Sequence, residues 1–242
     1  MSFLGNAFRH LLDFLIPPLC PICKKRVLTP HGLCSECFSK IHFIERPYCH
    51  KCGRPFEFDI PEETHCANCC QKDPTFEKAR SAFVYDSFSN KLILPFKHGD
   101  RLELTPLLTN LLYRAGLDIF DEIDAVVAVP LHRYRFMKRK YNQAEVLAKS
   151  LSKKIDKPYL PSVIIRKRAT KSQGHMKTAA RKKNVAGAFK VKNHVLIKNK
   201  NILIIDDVFT TGATLNECTK VLRRNGAQHI FILTLARVVK HL

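Results

Sequence analysis

The chain has 242 residues, enough for one large or two modest domains, and 45% of them are apolar, which is ordinary for a globular protein and supplies a sizeable core. No run reaches the roughly 20 apolar residues that a bilayer span needs, so no transmembrane segment is expected. The formal net charge of +20 is unevenly placed: residues 131–192 hold 19 Lys and Arg against 2 Asp and Glu, which argues for a local surface that faces a polyanion, the alternative being a solvated basic face.

Residues 3–16 place Phe3, Leu4, Ala7, Phe8, Leu11, Leu12 and Leu15 at helical spacing, and Pro17 and Pro18 stop the pattern. An amphipathic helix is expected that packs on the rest of the protein, with a peripheral membrane-surface contact as the alternative. The same run carries His10 and Asp13 inside its apolar part and lacks a small-residue cleavage site. It does not read as a signal peptide, and a cytoplasmic location is the expectation.

Nine of the ten cysteines lie between residues 20 and 70. Eight form C-x-x-C pairs: Cys20 and Cys23, Cys34 and Cys37, Cys49 and Cys52, Cys66 and Cys69. A two-residue gap lets both thiolates of a tight turn face one tetrahedral metal, so two zinc sites of four thiolates each are expected, with all positions filled and no catalytic vacancy. Redox-active thiols are the alternative. Sequential pairing, with the first two pairs on one zinc and the last two on the other, is the simplest assignment; a crossed one stays open, as does a role for Cys70. Gly53, after Cys52, stands where a knuckle turn often needs a positive φ. Cys218 lies outside the cluster and reads as a small buried hydrophobe.

From residue 81 onward apolar runs alternate with helical patterns. Strands are predicted over 81–86, 123–130, 201–206 and 229–237, and helices over 102–116, 141–155 and 215–226, the last closed by Gly226. Apolar strands alternating with helices predict an α/β fold with a mostly parallel sheet flanked by helices. Ligands then sit beyond the carboxyl ends of the strands.

Two strand ends carry unusual chemistry. After Pro130 come His132, Arg133, Arg135, Lys138, Arg139 and Lys140, interleaved with Tyr134, Phe136 and Tyr141. Such residues suit a pyrophosphate or a nucleic-acid backbone; a solvated basic turn is the alternative. The second is "NILIIDDVFTTGATL", where Asp206 and Asp207 end an apolar run ahead of Thr210, Thr211, Gly212, Ala213 and Thr214. A loop of small residues leading into a helix presents inward N–H groups and the positive end of the helix dipole to a phosphate. Carboxylates would repel that phosphate but accept hydrogen bonds from sugar hydroxyls. The unit therefore asks for a sugar phosphate, against the plain alternative that Thr and Asp cap a helix.

"ILIIDDVFTTGATL" resembles the phosphoribosyl-pyrophosphate-binding motif of type I phosphoribosyltransferases, and the whole chain resembles the ComF family of competence proteins. The further matches are "VPLHR" (Val129 to Arg133), "NQA" (Asn142 to Ala144), a loop with Thr170, Gln173, Arg181 and Asn184, and "GAF" (Gly187 to Phe189). They run from "LLDFLIPPLCPIC" to "LTLARV". One departure is that Arg139 is followed by Lys140 and Tyr141, where family members carry Arg-Gly before the aromatic residue; Arg133 is then the safer pyrophosphate contact.

The resemblance implies a type I phosphoribosyltransferase fold behind a small N-terminal zinc-ribbon domain: a helix over 1–19, a double zinc ribbon over 20–75 and a phosphoribosyltransferase-like domain over 76–242. It implies that Asp206 and Asp207 hold the ribose hydroxyls and Thr210 to Thr214 the 5-phosphate. Arg133, Arg135 and Arg139, with Lys97 from "PFKHGD", would meet the pyrophosphate. Residues 166–189, with Gln173, Arg181 and Asn184, would form a mobile loop over the site, and magnesium would accompany phosphoribosyl pyrophosphate. The function implied is DNA uptake in natural transformation, with single-stranded DNA and DNA-uptake or recombination proteins as partners. The alternative is an active phosphoribosyltransferase of nucleotide metabolism whose acceptor, catalytic base and oligomeric state are unread.

Overall fold

A computed structural model describes residues 17–99, 101–131, 141–168 and 178–239. The N-terminal amphipathic segment, Arg133, Arg135, Arg139, Thr170 and Gln173 lie outside the described residues. In chain order the elements are α1 (Ser35–Ser39), α2 (Ala67–Lys72), β1 (Lys78–Val84), α3 (Asn90–His98), α4 (Thr105–Ala115), β2 (Ala125–Ala128), α5 (Gln143–Lys154), β3 (Ile164–Arg166), α6 (Thr178–Val185), β4 (Phe189–Val191), β5 (Ile202–Phe209), α7 (Ala213–Arg224) and β6 (Ile230–Arg237). No helix among the described residues is long and apolar enough to cross a membrane.

Four strands form a parallel sheet in the order β1-β6-β5-β2, and β3 and β4 form a separate antiparallel pair. A parallel sheet covered on both faces needs apolar residues on both sides of each strand. β5 meets that need with Ile202, Leu203, Ile204 and Ile205, all fully buried. Ile202 and Ile204 join the core beneath α7, with Leu215, Cys218 and Leu222. Leu203 and Ile205 join the opposite core, with Leu92 and Phe96 of α3, Leu108 and Leu112 of α4, and Leu147 and Leu151 of α5. Cys218 is buried as expected, and that burial pushes its thiol up.

The expected strands and helices form, with shifted ends. The predicted helix over 102–116 splits into a 3-10 turn at Leu102–Leu104 and α4, because Pro106 sits in the first turn, where its missing N–H costs nothing. The strand predicted to end at Asp206 continues to Phe209. β6 is long enough to pair with it that far, through Asp206–Thr234, Val208–Ala236 and Phe209–Arg237.

The cysteine-rich region is fastened to the sheet. The segment around Phe43 pairs antiparallel with the free edge of β1: the Ile44 amide donates to Ala82 O at 3.0 Å and the Val84 amide to His42 O at 2.8 Å. This covers an edge that would otherwise expose unpaired backbone. Arg80, buried within β1, donates to Asp118 at 2.7 and 2.9 Å and to His50 O at 2.9 Å, with its guanidinium 4.7 Å above the Tyr48 ring. Gly53 has φ +67°, and a Cβ there would lie 2.4 Å from Ala79 O, so the knuckle turn touches β1 backbone to backbone. Cys49, Cys52, Cys66 and Cys69 belong to the same core as Ile202 and Ile204.

Candidate functional site

The sheet opens where β2 stops. Ala128 is its last residue and lies opposite Ile205; the Val129 amide adds one more bond to Ile205 O at 2.9 Å. From Asp206 onward β5 keeps β6 on one side and has lost β2 on the other. Asp206 and Asp207 therefore lie inside a strand, past the end of its shorter neighbour, at the carboxyl end of the sheet, the end at which open α/β sheets bind ligands.

The loop after β5 closes onto α7 through Gly212, the helix N-cap, at φ +72°. Glycine has no side chain with which to cap, so the helix-capping explanation of the Thr and Asp cluster does not describe this terminus. A Cβ at Gly212 would come within 3.0 Å of Phe209 Cζ and 3.1 Å of Asn216 Nδ2. The Thr211 Oγ1 is buried with no hydrogen-bond partner among the described residues. A buried hydroxyl without a partner costs about 1–3 kcal/mol, and an anion in the loop would remove that cost. Gly212→Val combines a left-handed β-branched residue with the Phe209 contact. It is expected to weaken phosphate-ligand binding at least tenfold while thermal unfolding shifts only a few degrees, measured by calorimetry and circular dichroism.

Lys97 reaches the acids from α3. Its Nζ stands 2.5 Å from Asp207 Oδ2 in a largely buried pair. The tip of α3 is fixed by the "YNQA" run: Tyr141 Oη donates to Phe96 O at 2.9 Å and Gln143 Nε2 to Lys97 O at 2.7 Å. Asn142 caps α5 by accepting from the Ala144 amide, and its Nδ2 donates to Val129 O at 3.0 Å, holding the end of β2. Burial, and then the charge of Asp207, push the Asp206 carboxyl up to about 7. The Asp207 amide, 2.9 Å from Asp206 Oδ1, Lys97 and Arg166 pull the other way.

Asp206, Asp207 and Lys97 thus meet at the end of β5 that leads into residues 210–214. Arg181 and Asn184 lie on α6, a regular helix packed beside α7, and Arg168 Nη2 closes its end by donating to Ala186 O at 2.8 Å. Sequence reading missed Arg166, whose guanidinium lies 5.2 Å from the Phe189 ring centre and whose charge acts on Asp206. The available signal was an arginine ending the apolar run "SVIIR".

The thiols gather as two sequential tetrads, Cys20, Cys23, Cys34 and Cys37, and Cys49, Cys52, Cys66 and Cys69. Within each, all sulfurs lie within 4.8 Å of one another. The separations of 3.5 Å for Cys23–Cys34 and 3.7 Å for Cys52–Cys66 are close to the roughly 3.8 Å edge of a tetrahedral tetrathiolate zinc, and all ten cysteines are unbridged. In each tetrad the second pair starts a short helix, with Cys34 and Cys66 as N-caps. Hydrogen bonds from the Cys52 and Cys69 thiols hold the Cys49 thiol far below its usual range, while Cys52 is pushed up to about 12. Four thiols crowded at one point are suited to a cation that would ionise them all.

Two family models match: the double zinc ribbon domain over residues 11–70 and the phosphoribosyl transferase domain over residues 142–240. The chain is 32% identical to Competence protein F of Haemophilus influenzae, over 87% of this chain and 92% of that protein. It is 30% identical to the DNA utilization protein YhgH of Escherichia coli, over 93% and 99%. It is 28% identical to Competence protein ComFC of Streptococcus pneumoniae, over 85% and 87%. With a zinc-ribbon region of two cysteine tetrads joined to a parallel-sheet phosphoribosyltransferase domain along nearly the full length of these relatives, the chain belongs to the ComF family of competence proteins.

Proposed function

We propose that this protein binds phosphoribosyl pyrophosphate, or a related ribose phosphate, with magnesium, and acts in the cytoplasm in DNA uptake during natural transformation. The observation that carries the ligand is the division of labour at the end of β5. Asp206 and Asp207 lie in β5 past the end of β2, and the loop that follows Phe209 carries a Thr211 hydroxyl buried without a partner among the described residues and leads into a glycine-capped helix start. Hydroxyls of the ribose would donate to Asp206 and Asp207 and the 5-phosphate would take the loop. Magnesium would accompany the ligand and offset the charge of its phosphates.

Titration with phosphoribosyl pyrophosphate and magnesium across pH tests this. Hydroxyls donating to Asp206 favour its ionised form, so binding releases the proton held by a carboxyl titrating near 7. Affinity is expected to rise by about tenfold in all from pH 6 to 8, most of it below pH 7, and then to level off. The ligand phosphates titrate nearby as well; the part of the slope owed to the carboxyl is the part that disappears in Asp206→Asn. An unchanged slope in that variant would separate the hydroxyls from Asp206.

The names of the relatives and the basic block at 131–192 support a role with incoming single-stranded DNA. If about five to eight phosphates are neutralised, log affinity should fall against log salt with a slope of roughly −3 to −6. A flat response would remove the basic surface from the function. A second reading is turnover of the bound ligand, favoured by the Asp206–Asp207–Lys97 cluster, whose carboxylates would stabilise a cationic ribose as pyrophosphate leaves. Pyrophosphate release in the presence of a pool of bases and amines, compared with Asp207→Ala, decides that point.

A further inference from the structure

β6 ends in Arg237, the one charged residue of the strand, and the residue is 7% exposed. Burying a guanidinium costs several kcal/mol unless its charge and donors are met. Its Nη1 donates to Cys52 O at 2.7 Å, and its Nη2 lies 3.3 Å from Cys52 Sγ. Its plane covers the Phe209 ring, 4.2 Å from the centre. Phe209 is the last residue of β5, in register with Arg237, and the next residue is Thr210. The ring meets Phe76 edge-on at 6.2 Å and forms the wall against which Gly212 sits. Alongside, Thr75 Oγ1 lies 3.5 Å from Asn216 Oδ1 in the first turn of α7. An unbroken line of contacts therefore runs from the inner cysteine tetrad through Arg237 and Phe209 to the loop at 210–214.

The outer tetrad is different. Its polar neighbours Lys25, Glu36 and Lys40 form an exposed ion-pair cluster, and Cys23 is itself exposed. The inner tetrad is buried at all four positions.

We propose that Arg237 is a positioning residue that uses the inner metal–thiolate centre as the anchor of the ribose-phosphate loop. Four thiolates around one divalent zinc carry a formal charge of about −2, and Arg237 offsets part of it at Cys52. The sulfur that fixes the guanidinium is itself fixed by the metal, and the guanidinium in turn sets the Phe209 ring on which Gly212 rests. Metal occupancy of the ribbon then governs how well the loop is formed. The proposal takes the loop to be the ribose-phosphate site described above.

The test uses the full-length, zinc-loaded chain. Arg237→Gln removes the charge; Arg237→Lys keeps it but loses the planar fork. Phe209→Leu interrupts the same line without touching the tetrad, and Glu36→Gln at the outer knuckle is the control. Zinc content, amide hydrogen exchange over 206–216 and affinity for phosphoribosyl pyrophosphate are measured for each. Expected are two retained zinc equivalents, about tenfold faster exchange over 206–216 and about tenfold weaker binding in Arg237→Gln and Phe209→Leu. Arg237→Lys should fall between them and wild type, and Glu36→Gln should stay within twofold. Unchanged exchange in Arg237→Gln, or in Phe209→Leu should the arginine variant not fold, overturns the coupling. If the wild-type chain takes up no phosphoribosyl pyrophosphate, the ligand reading fails by itself, and the exchange data still decide the coupling.

Discussion

Asp207→Ala is expected to weaken binding of phosphoribosyl pyrophosphate by roughly 30- to 1000-fold with little change in folding stability. A hydrogen bond to a charged group contributes about 1.5–3 kcal/mol, and a carboxylate that accepts one or two ribose hydroxyls supplies roughly 2–4 kcal/mol, at about 1.4 kcal/mol per tenfold. The folded chain is expected to lose less, because the Lys97 side chain keeps 27% of its exposure and its ammonium still reaches water. Asp207→Asn is the sharper control. Its amide oxygen still accepts one hydroxyl but no longer offsets Lys97, so the loss should be nearer tenfold. Calorimetry on the three proteins, with thermal unfolding alongside, gives the comparison. Equal affinity in wild type and Asp207→Ala would place the sugar away from β5.

The alternation of apolar strands and helices made the parallel sheet readable, because burial on both faces leaves continuous runs such as "ILII". The tetrads were readable for a different reason: C-x-x-C spacing is set by metal geometry, and each pair is local in sequence. What could not be read was the length of a neighbouring strand. The sequence places two acids after an apolar run, but only the early end of β2 at Ala128, opposite Ile205, puts that position past its neighbouring strand. The same ignorance of pairing set the end of β5 three residues short, since β6 supplies partners as far as Arg237.

Contacts remote in sequence were also hidden. "NQA" was noticed as a pattern next to a basic cluster. In the folded chain Gln143 and Tyr141 hold the backbone of Lys97 and Phe96 from more than forty residues away, and so aim Lys97 at Asp207. Arg80 precedes one predicted strand and Arg237 ends another, and both are buried and bind the cysteine-rich region, through His50 O and Cys52. No periodicity in a strand says which side chain will meet a segment arriving from elsewhere.

Removal of zinc is expected to proceed in two steps, and the second should unfold the chain. The ribbon has little regular structure of its own: α1 has 5 residues and α2 has 6, and its strand pairing is single bridges such as Leu19–Arg26 and Tyr48–Pro55. Helices that short do not persist without an external constraint. Structural zinc contributes about 10–16 kcal/mol of apparent binding free energy in small zinc-binding folds, which meets or exceeds the roughly 5–15 kcal/mol stability of a whole domain. At the outer tetrad, where Cys23 is exposed and Cys34 half-buried, a chelator has access, and the lost order is confined to residues near the surface. At the inner tetrad all four sulfurs are buried in the core that also holds Phe76, Ile202 and Ile204. Losing that ion leaves four crowded thiols beneath the sheet and removes the partner of Arg237. A chromogenic chelator should therefore register one fast and one slow zinc equivalent, with near-ultraviolet dichroism lost only in the slow phase. A loss of even about 5 kcal/mol would lower the melting temperature by roughly 10–20 °C for a chain of this size. Two equivalents leaving together while the melting temperature holds would show that the sheet stands without the ribbon, and the inner tetrad would then be a passenger on the core rather than part of it.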